Sequence, residues 1–314
     1  MTPPTRVLGR TGLPVSPIGL GLAALGRPAY VNLGHGNDLG PDHTPHALEA
    51  RAHAVLDAAW VAGIRYVDTA RSYGRAEAFL ASWLRDRDLA PGALTVGSKW
   101  GYTYTAGWRV DAHVHEVKDH SLAALRRQVH ESRALLGDHL ALYQIHSATP
   151  ESGILDDGDV LDELARLRDG GLAVGLSTSG PDQGSVIRQA LTIERGGSAL
   201  FATVQATWNL LERSAGPALA EAHDAGLGVI VKEALANGRL AAPAAPVPAA
   251  LALAAALAQP WADVVLSGAV TVGQLAANLD ALTVTWDEEA AAGLDTVVEP
   301  PAAYWAARRA LPWN

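Results

Sequence analysis

The sequence predicts an α/β protein, a (β/α)8 TIM barrel. Three observations carry that expectation. Eight short, almost continuously apolar runs are spread along the 314 residues, and a longer amphipathic stretch follows each, after an intervening loop in places. Glycines stand directly behind several of those stretches. Apolar runs without polar alternation are the mark of parallel strands buried on both faces. Strand–helix alternation repeated eight times is the pattern of a closed barrel.

The elements follow in order. Residues 6–16 read as a small N-terminal β-hairpin turning at Thr11 and Gly12. The first strand spans 17–23, and a Gly/Pro/His-rich loop over 26–45 separates it from a helix at 47–62. In that helix Leu48, Val55, Leu56 and Trp60 share one side. Strand–helix pairs then fall at 66–69 and 75–87, 94–99 and 122–136, 140–146 and 155–168, and 174–178 and 183–193. The last three are 203–207 and 217–225, 228–232 and 247–258, and 263–268 and 272–282. Gly63, Gly137, Gly170 and Gly226 lie just past helical runs, where a left-handed C-cap is wanted. Residues 288–298 and 302–309 read as extra C-terminal helices. The Pro/Ala stretch at 241–248 is a connection, and no composition break divides the chain, so 1–314 reads as one domain.

Composition narrows the function. With 49% hydrophobic and 18% charged residues, the chain can bury a large core and is not disordered. A net charge of −9 argues against nucleic acid or an anionic membrane as partner. Without cysteine there is no disulfide, thiolate metal site or thiol nucleophile. The longest apolar run, 249–258, is too short to span a bilayer, and the first residues lack a signal peptide's apolar core. A cytoplasmic location is expected; oligomeric state is not legible. Of 24 basic residues only Lys99, Lys118 and Lys232 are lysines, which draws attention to places where a compact, tunable ammonium is needed.

In a barrel, chemistry gathers at the carboxyl ends of the strands. The second strand ends at Asp68 with Tyr73 close behind, the third at Lys99 and the fourth at His146. Asp68 and Lys99 on adjacent strands are natural partners, because buried charges are normally paired. An ammonium near Tyr73 would lower the phenol's pKa and make it a better proton donor. His146 would donate a hydrogen bond to a carbonyl oxygen. Together they suit acid-assisted attack on an aldehyde or ketone by a nucleophile supplied from elsewhere. Trp100, Tyr102, Trp108 and Trp208 near the same rim are candidates for the walls of a substrate pocket.

Asp68, Tyr73, Lys99 and His146 match in order and context the catalytic tetrad of the aldo-keto reductase superfamily, which this sequence resembles. The stretches Leu8-Gly-Arg-Thr-Gly-Leu-Pro-Val-Ser-Pro-Ile-Gly-Leu-Gly and Gly63-Ile-Arg-Tyr-Val-Asp-Thr-Ala-Arg-Ser-Tyr-Gly are similar to that family's opening hairpin and second-strand signature. The resemblance runs from about Arg6 to Leu282 and implies NAD or NADP bound without a Rossmann domain, and a small carbonyl or alcohol substrate. It implies Ser177 and Gln205 at the carboxamide, Gly21 beside the ring, and Asn278 at the adenine. Thr178 stands where the family usually has Asn, and Lys232 where many members place an aromatic ring. Leu235, Asn237, Arg239, Gly268 and Gln274 complete the implied cofactor contacts. The segment from Ser267 to Gln274 is neutral where basic residues usually clamp a 2′-phosphate, leaving Arg239 as the substitute and the choice between NAD and NADP open.

Two other functions compete: a cofactor-holding, redox-sensing barrel that turns over slowly or not at all, and a lyase forming a Schiff base on Lys232 or Lys99. Two motifs are decoys. The G-x-G-x-x-A pattern beginning at Gly19 opens into a loop instead of a helix, so the dinucleotide fingerprint lacks its context. His113, His115 and His120 lack an acidic or thiolate partner at ligand spacing and read as a solvated loop, with no metal expected.

Overall fold

A computed structural model describes residues 4–314. Eight parallel strands close into a barrel in sequential order. They are β1 (Ile18–Gly21), β2 (Tyr66–Asp68), β3 (Thr95–Trp100), β4 (Leu140–Ala148), β5 (Ala173–Thr178), β6 (Thr203–Thr207), β7 (Gly228–Lys232) and β8 (Val264–Ser267). The helices around them are α1 (Pro45–Val61), α2 (Ala76–Asp86), α3 (Leu122–Leu136), α4 (Gly158–Asp169), α5 (Gln183–Leu191), α6 (Gly216–Asp224), α7 (Ala249–Leu257) and α8 (Val272–Leu279), followed by α9 (Pro301–Arg309). Among the described residues no helix is long and apolar enough to cross a membrane.

Local chemistry explains the helix starts. The side chains of Thr44, Ser121, Asp157 and Thr271 accept hydrogen bonds from the exposed N–H groups of α1, α3, α4 and α8. At the other ends, Gly63, Gly137 and Gly226 have positive φ, as expected. Gly170 does not, with φ of −80°, because α4 runs on to Asp169 and the left-handed turn falls to Gly171.

The N-terminal hairpin pairs Arg6 with Val15 and Val7 with Pro14. It plugs the barrel floor: Leu8 and Val15 join Tyr66, Leu142, Ile230 and Val264 in an inner apolar cluster separate from the one between strands and helices. Several expectations need correction. The helix expected from 155 begins at Gly158, behind a 3-10 turn at Ile154–Asp156, because Asp157 supplies the cap. The helix expected at 288–298 breaks into Glu288–Ala291 and a 3-10 turn at Leu294–Val297, with Gly293 left-handed between them. The loop after β3 holds an antiparallel hairpin, Tyr102–Tyr104 against Glu116–Lys118. The loop after β1 holds a short helix, His35–Leu39.

That β1 loop reaches the turn carrying Tyr73 only because both contact positions are glycines. A Cβ at Gly26 would lie 2.2 Å from the Tyr73 carbonyl oxygen, and one at Gly74 2.4 Å from the Gly26 carbonyl. The Arg75 N–H donates to the Gly26 carbonyl at 2.7 Å, fixing the contact. From the far end of the chain, α9 and the residues after it pack beside the β6 and β7 ends and the β1 loop. The Tyr30 N–H donates to the Asn314 carbonyl at 3.1 Å.

Candidate active site

Strand register sets the site. β2, β3 and β4 are neighbours, so Asp68, Lys99 and His146 reach one end of the barrel together. The Lys99 ammonium is ion-paired with Asp68 and also donates to the Thr69 carbonyl at 3.1 Å and the Tyr73 hydroxyl at 3.3 Å. The Tyr73 oxygen lies 3.4 Å from His146 Nε2, and the two rings meet edge to face. Asp68 is further held by the Gln205 amide N–H at 2.8 Å and the Tyr66 hydroxyl at 3.3 Å. All four side chains of the expected tetrad are thus in one contact chain.

The electrostatics differ from expectation at Tyr73. Burial and then the Asp68 carboxylate push its phenol well above the usual tyrosine range, and Arg27 only partly opposes them. The expectation of a lowered value fails because burial of the phenol, and after it the Asp68 carboxylate, outweigh the neighbouring cations. Tyr73 therefore keeps its proton through neutral pH. His146 is held neutral by burial, with Lys99, Lys232 and Arg27 adding to the effect. A neutral imidazole donates from one nitrogen and accepts at the other. The Ser72 hydroxyl lies 3.5 Å from Nδ1, at the limit of hydrogen bonding, which suits acceptance there and a proton on Nε2.

Ser177 and Gln205 stand side by side in the β5–β6 register. The Ser177 oxygen accepts the Ser147 N–H at 2.8 Å, leaving its own O–H to donate. Asp68 can only accept, so the Gln205 NH2 must face it, leaving Gln205 Oε1 to accept. A free donor beside a free acceptor fits a primary carboxamide. Gly21 is clear except for a carbonyl 3.6 Å from an added Cβ, and Gly268 faces open space. The Asn237 side-chain oxygen is buried without a partner.

Other expected contacts are already engaged. Thr178 bonds Gln183 at 3.3 Å, and Leu235 is half-buried in the turn after β7, its carbonyl accepting from Gly238 and Leu240. The Arg239 guanidinium is bound by both oxygens of Glu299. Gln274 donates to Asp38 at 2.8 Å and accepts from the Val270 N–H, while Asn278 donates to Ser267 at 2.8 Å. Arg239 is therefore not free as the phosphate substitute.

Of the four aromatic residues expected near the rim, Tyr102 is the one whose ring meets a tetrad side chain. Tyr102 lies 5.0 Å from His146, ring to ring. Trp100 has no exposed surface and belongs to the core, because successive strand residues face opposite ways and Lys99 takes the inner face. Trp208 likewise turns outward onto Trp261. Trp108 donates to the His43 carbonyl and packs on Phe79 of α2. The histidines are dispersed: His115 stacks on Trp313, and His120 bonds the His146 carbonyl at 2.9 Å.

Two ion pairs beside the site were not expected from the sequence, Arg27–Glu116 and Glu233–Arg308. Arg27 lies over the Tyr73 ring at 5.4 Å, bonds Glu116 at 2.8 Å, and packs on Trp313 at 4.7 Å. At the end of β7, Glu233 has φ of 56° and both its oxygens bind Arg308 from α9, the closest contact being 2.5 Å. A charged residue directly after Lys232 was the available clue to Glu233. Burial resists ionisation of Glu233, but Arg308 and Lys232 overcome it and hold the carboxyl at about 2. Because this folded value is depressed, the ion pair stabilises the fold above the ordinary glutamate range and the contribution is lost as pH falls toward 2. The expected loss is on the order of a few kcal/mol. Urea unfolding between pH 6 and 3 checks this: Glu233→Gln should be less stable than wild type at pH 6 and flatter with pH, and parallel curves would contradict it.

One mouth of the eight-stranded barrel thus carries a buried Asp–Lys–Tyr–His chain. A model of the aldo/keto reductase family matches residues 17–246, and the chain belongs to that family of oxidoreductases. It is 29% identical over 266 residues to pyridoxal 4-dehydrogenase of Microbacterium luteolum, covering 76% of this chain and 72% of that protein. A Pseudomonas aeruginosa structure provisionally described as an aldo-keto reductase is 29% identical, with a TM-score of 0.65 over 87% of this chain and 92% of that one. The holo form of aldo-keto reductase AKR11C1 from Bacillus halodurans shares the fold, with a TM-score of 0.69 at 22% identity over 94% and 96% of the two chains.

Proposed function

We propose that this single-domain barrel is an NAD(P)-dependent enzyme that interconverts a small aldehyde or ketone and its alcohol in the cytoplasm. The observation that carries the reading is the continuous contact from Asp68 through Lys99 to Tyr73 and His146. Bound nicotinamide would supply or accept the hydride at its C4. Ser177 and Gln205 would hold its carboxamide, the first donating and the second accepting. His146 Nε2 donates a hydrogen bond to the carbonyl oxygen, favouring the negative charge that develops there. Tyr73 delivers its proton to the same oxygen, and Lys99 stabilises the phenolate left behind. In the alcohol direction the same groups run in reverse, Tyr73 taking the hydroxyl proton.

The intact contact chain favours turnover over a purely sensing barrel. Lys99 is unsuited to Schiff-base chemistry, since its ammonium is engaged by Asp68, Thr69 and Tyr73. The relative's substrate, pyridoxal, makes an aromatic aldehyde or its hemiacetal a sensible first candidate. NAD(H) is the favoured cofactor, because Arg239 is committed to Glu299 and the Asp38 carboxylate lies on Gln274. Titration with NADH and NADPH, followed by tryptophan fluorescence, tests this. Tighter NADH binding is expected; tighter NADPH binding would reverse the cofactor assignment, and binding of neither would remove the redox reading.

A further inference from the structure

Positive charge at the mouth of the barrel is not fully matched. Arg27 has Glu116, Lys99 has Asp68, and Arg308 occupies both oxygens of Glu233. Lys232 shares Glu233 with Arg308, so two cations face one carboxylate. The Lys232 ammonium donates to Thr207 Oγ1 at 2.7 Å and stands 3.8 Å from Glu233, beyond hydrogen-bond distance. Thr207 and Lys232 are register partners at the ends of β6 and β7. Gln205, two residues earlier on β6, touches Asp68. Lys232 thus sits one layer above the tetrad, on the side from which a reactant must enter.

Its side chain is only 16% exposed. Burial lowers the ammonium most, Glu233 resists, and Arg308 and Lys99 lower it further, to about 8. It is close enough to His146 to help keep that imidazole neutral. Further out, the exposed Lys118 lies 5.5 Å from the Tyr102 ring, which itself meets His146. A desolvated cation that shares its one carboxylate with Arg308 is incompletely compensated, and an anionic ligand would relieve it.

The geometry points to a substrate that carries an anionic oxygen group in addition to its reacting carbonyl, with Lys232 as the residue that selects it. This deepens the oxidoreductase reading and rests on it. A carboxylate, a phenolate and a phosphate share the chemistry that Lys232 recognises.

The test compares benzaldehyde with 4-carboxybenzaldehyde and 4-formylphenyl phosphate as substrates of the wild type, Lys232→Met and Lys232→Gln, each loaded with reduced cofactor. Dissociation constants for benzamide and 4-carbamoylbenzoate are measured in parallel. The wild type should prefer the charged aldehydes in kcat/KM, with the larger preference showing whether carboxylate or phosphate fits. Both variants should lose that selectivity by roughly tenfold or more, in turnover and in binding alike. A wild type without preference for the charged ligands would overturn the inference. So would variants that weaken cofactor binding while the charged-to-neutral ratio stays constant. If no aldehyde is reduced by the wild type, the redox reading fails, and the two binding constants still decide the role of Lys232.

Discussion

Replacing Tyr73 by phenylalanine is expected to slow turnover by roughly 10²–10⁴-fold. The substitution removes the one hydroxyl that both Lys99 and His146 reach, at 3.3 and 3.4 Å, and leaves the ring in place. That ring stays packed under Arg27 and against His146, so the barrel mouth keeps its shape. Cofactor affinity should persist, because the residues suited to the carboxamide lie on β5 and β6. Measuring kcat and the cofactor dissociation constant on one preparation separates the two effects. Because the phenol is held well above its ordinary range by burial and Asp68, wild-type reduction should not slow between pH 6 and 9 through loss of this proton. Undiminished turnover in the phenylalanine variant would pass the acid role to His146.

Asp68→Asn should bring the largest loss of stability. Asp68 is the counter-ion of an ammonium that is 1% exposed and also anchors Gln205. The amide matches the carboxylate in shape but leaves Lys99 a buried, uncompensated cation. Such losses cost about 3–5 kcal/mol, a large part of the roughly 5–15 kcal/mol that holds a protein folded. Activity should fall with it, since Lys99 and Gln205 both lose their anchor. Urea unfolding measures the stability term. The double variant Asp68→Asn/Lys99→Met should be more stable than Asp68→Asn alone, because no uncompensated charge remains. A loss below about 1 kcal/mol for the single variant would show that water or another carboxylate reaches Lys99.

Much of this site was legible in the sequence because a charged residue closing an apolar run has few places to go in a barrel. Asp68, Lys99 and His146 declared themselves that way, and parallel neighbours bring such residues together without further information. The strands were legible for the same reason, being apolar on both faces. What stayed hidden depends on partners distant in the chain. Arg308 meets Glu233 across 75 residues, and Arg27 meets Glu116 across 89, with no local pattern to announce either. The Tyr102–Tyr104 hairpin hid because its partner strand follows a long turn. Trp100 and Trp208 misled because proximity to a strand end says nothing about which face a side chain takes. The acidity of Tyr73 misled because Asp68 was read as a partner of Lys99 without its own effect on the phenol, and burial of the phenol was not weighed.

The most direct test of the central claim is a single turnover. Protein loaded with stoichiometric NADH, or with NADPH if that binds tighter, is mixed rapidly with excess 4-carboxybenzaldehyde, and loss of the reduced nicotinamide absorbance is followed. The site described here predicts one fast exponential phase of full amplitude, with alcohol formed in equal amount, and loss of that phase in Tyr73→Phe. Bound cofactor that stays reduced in the presence of this aldehyde, benzaldehyde and pyridoxal would contradict the account and leave a barrel that holds nicotinamide without using it on such carbonyls.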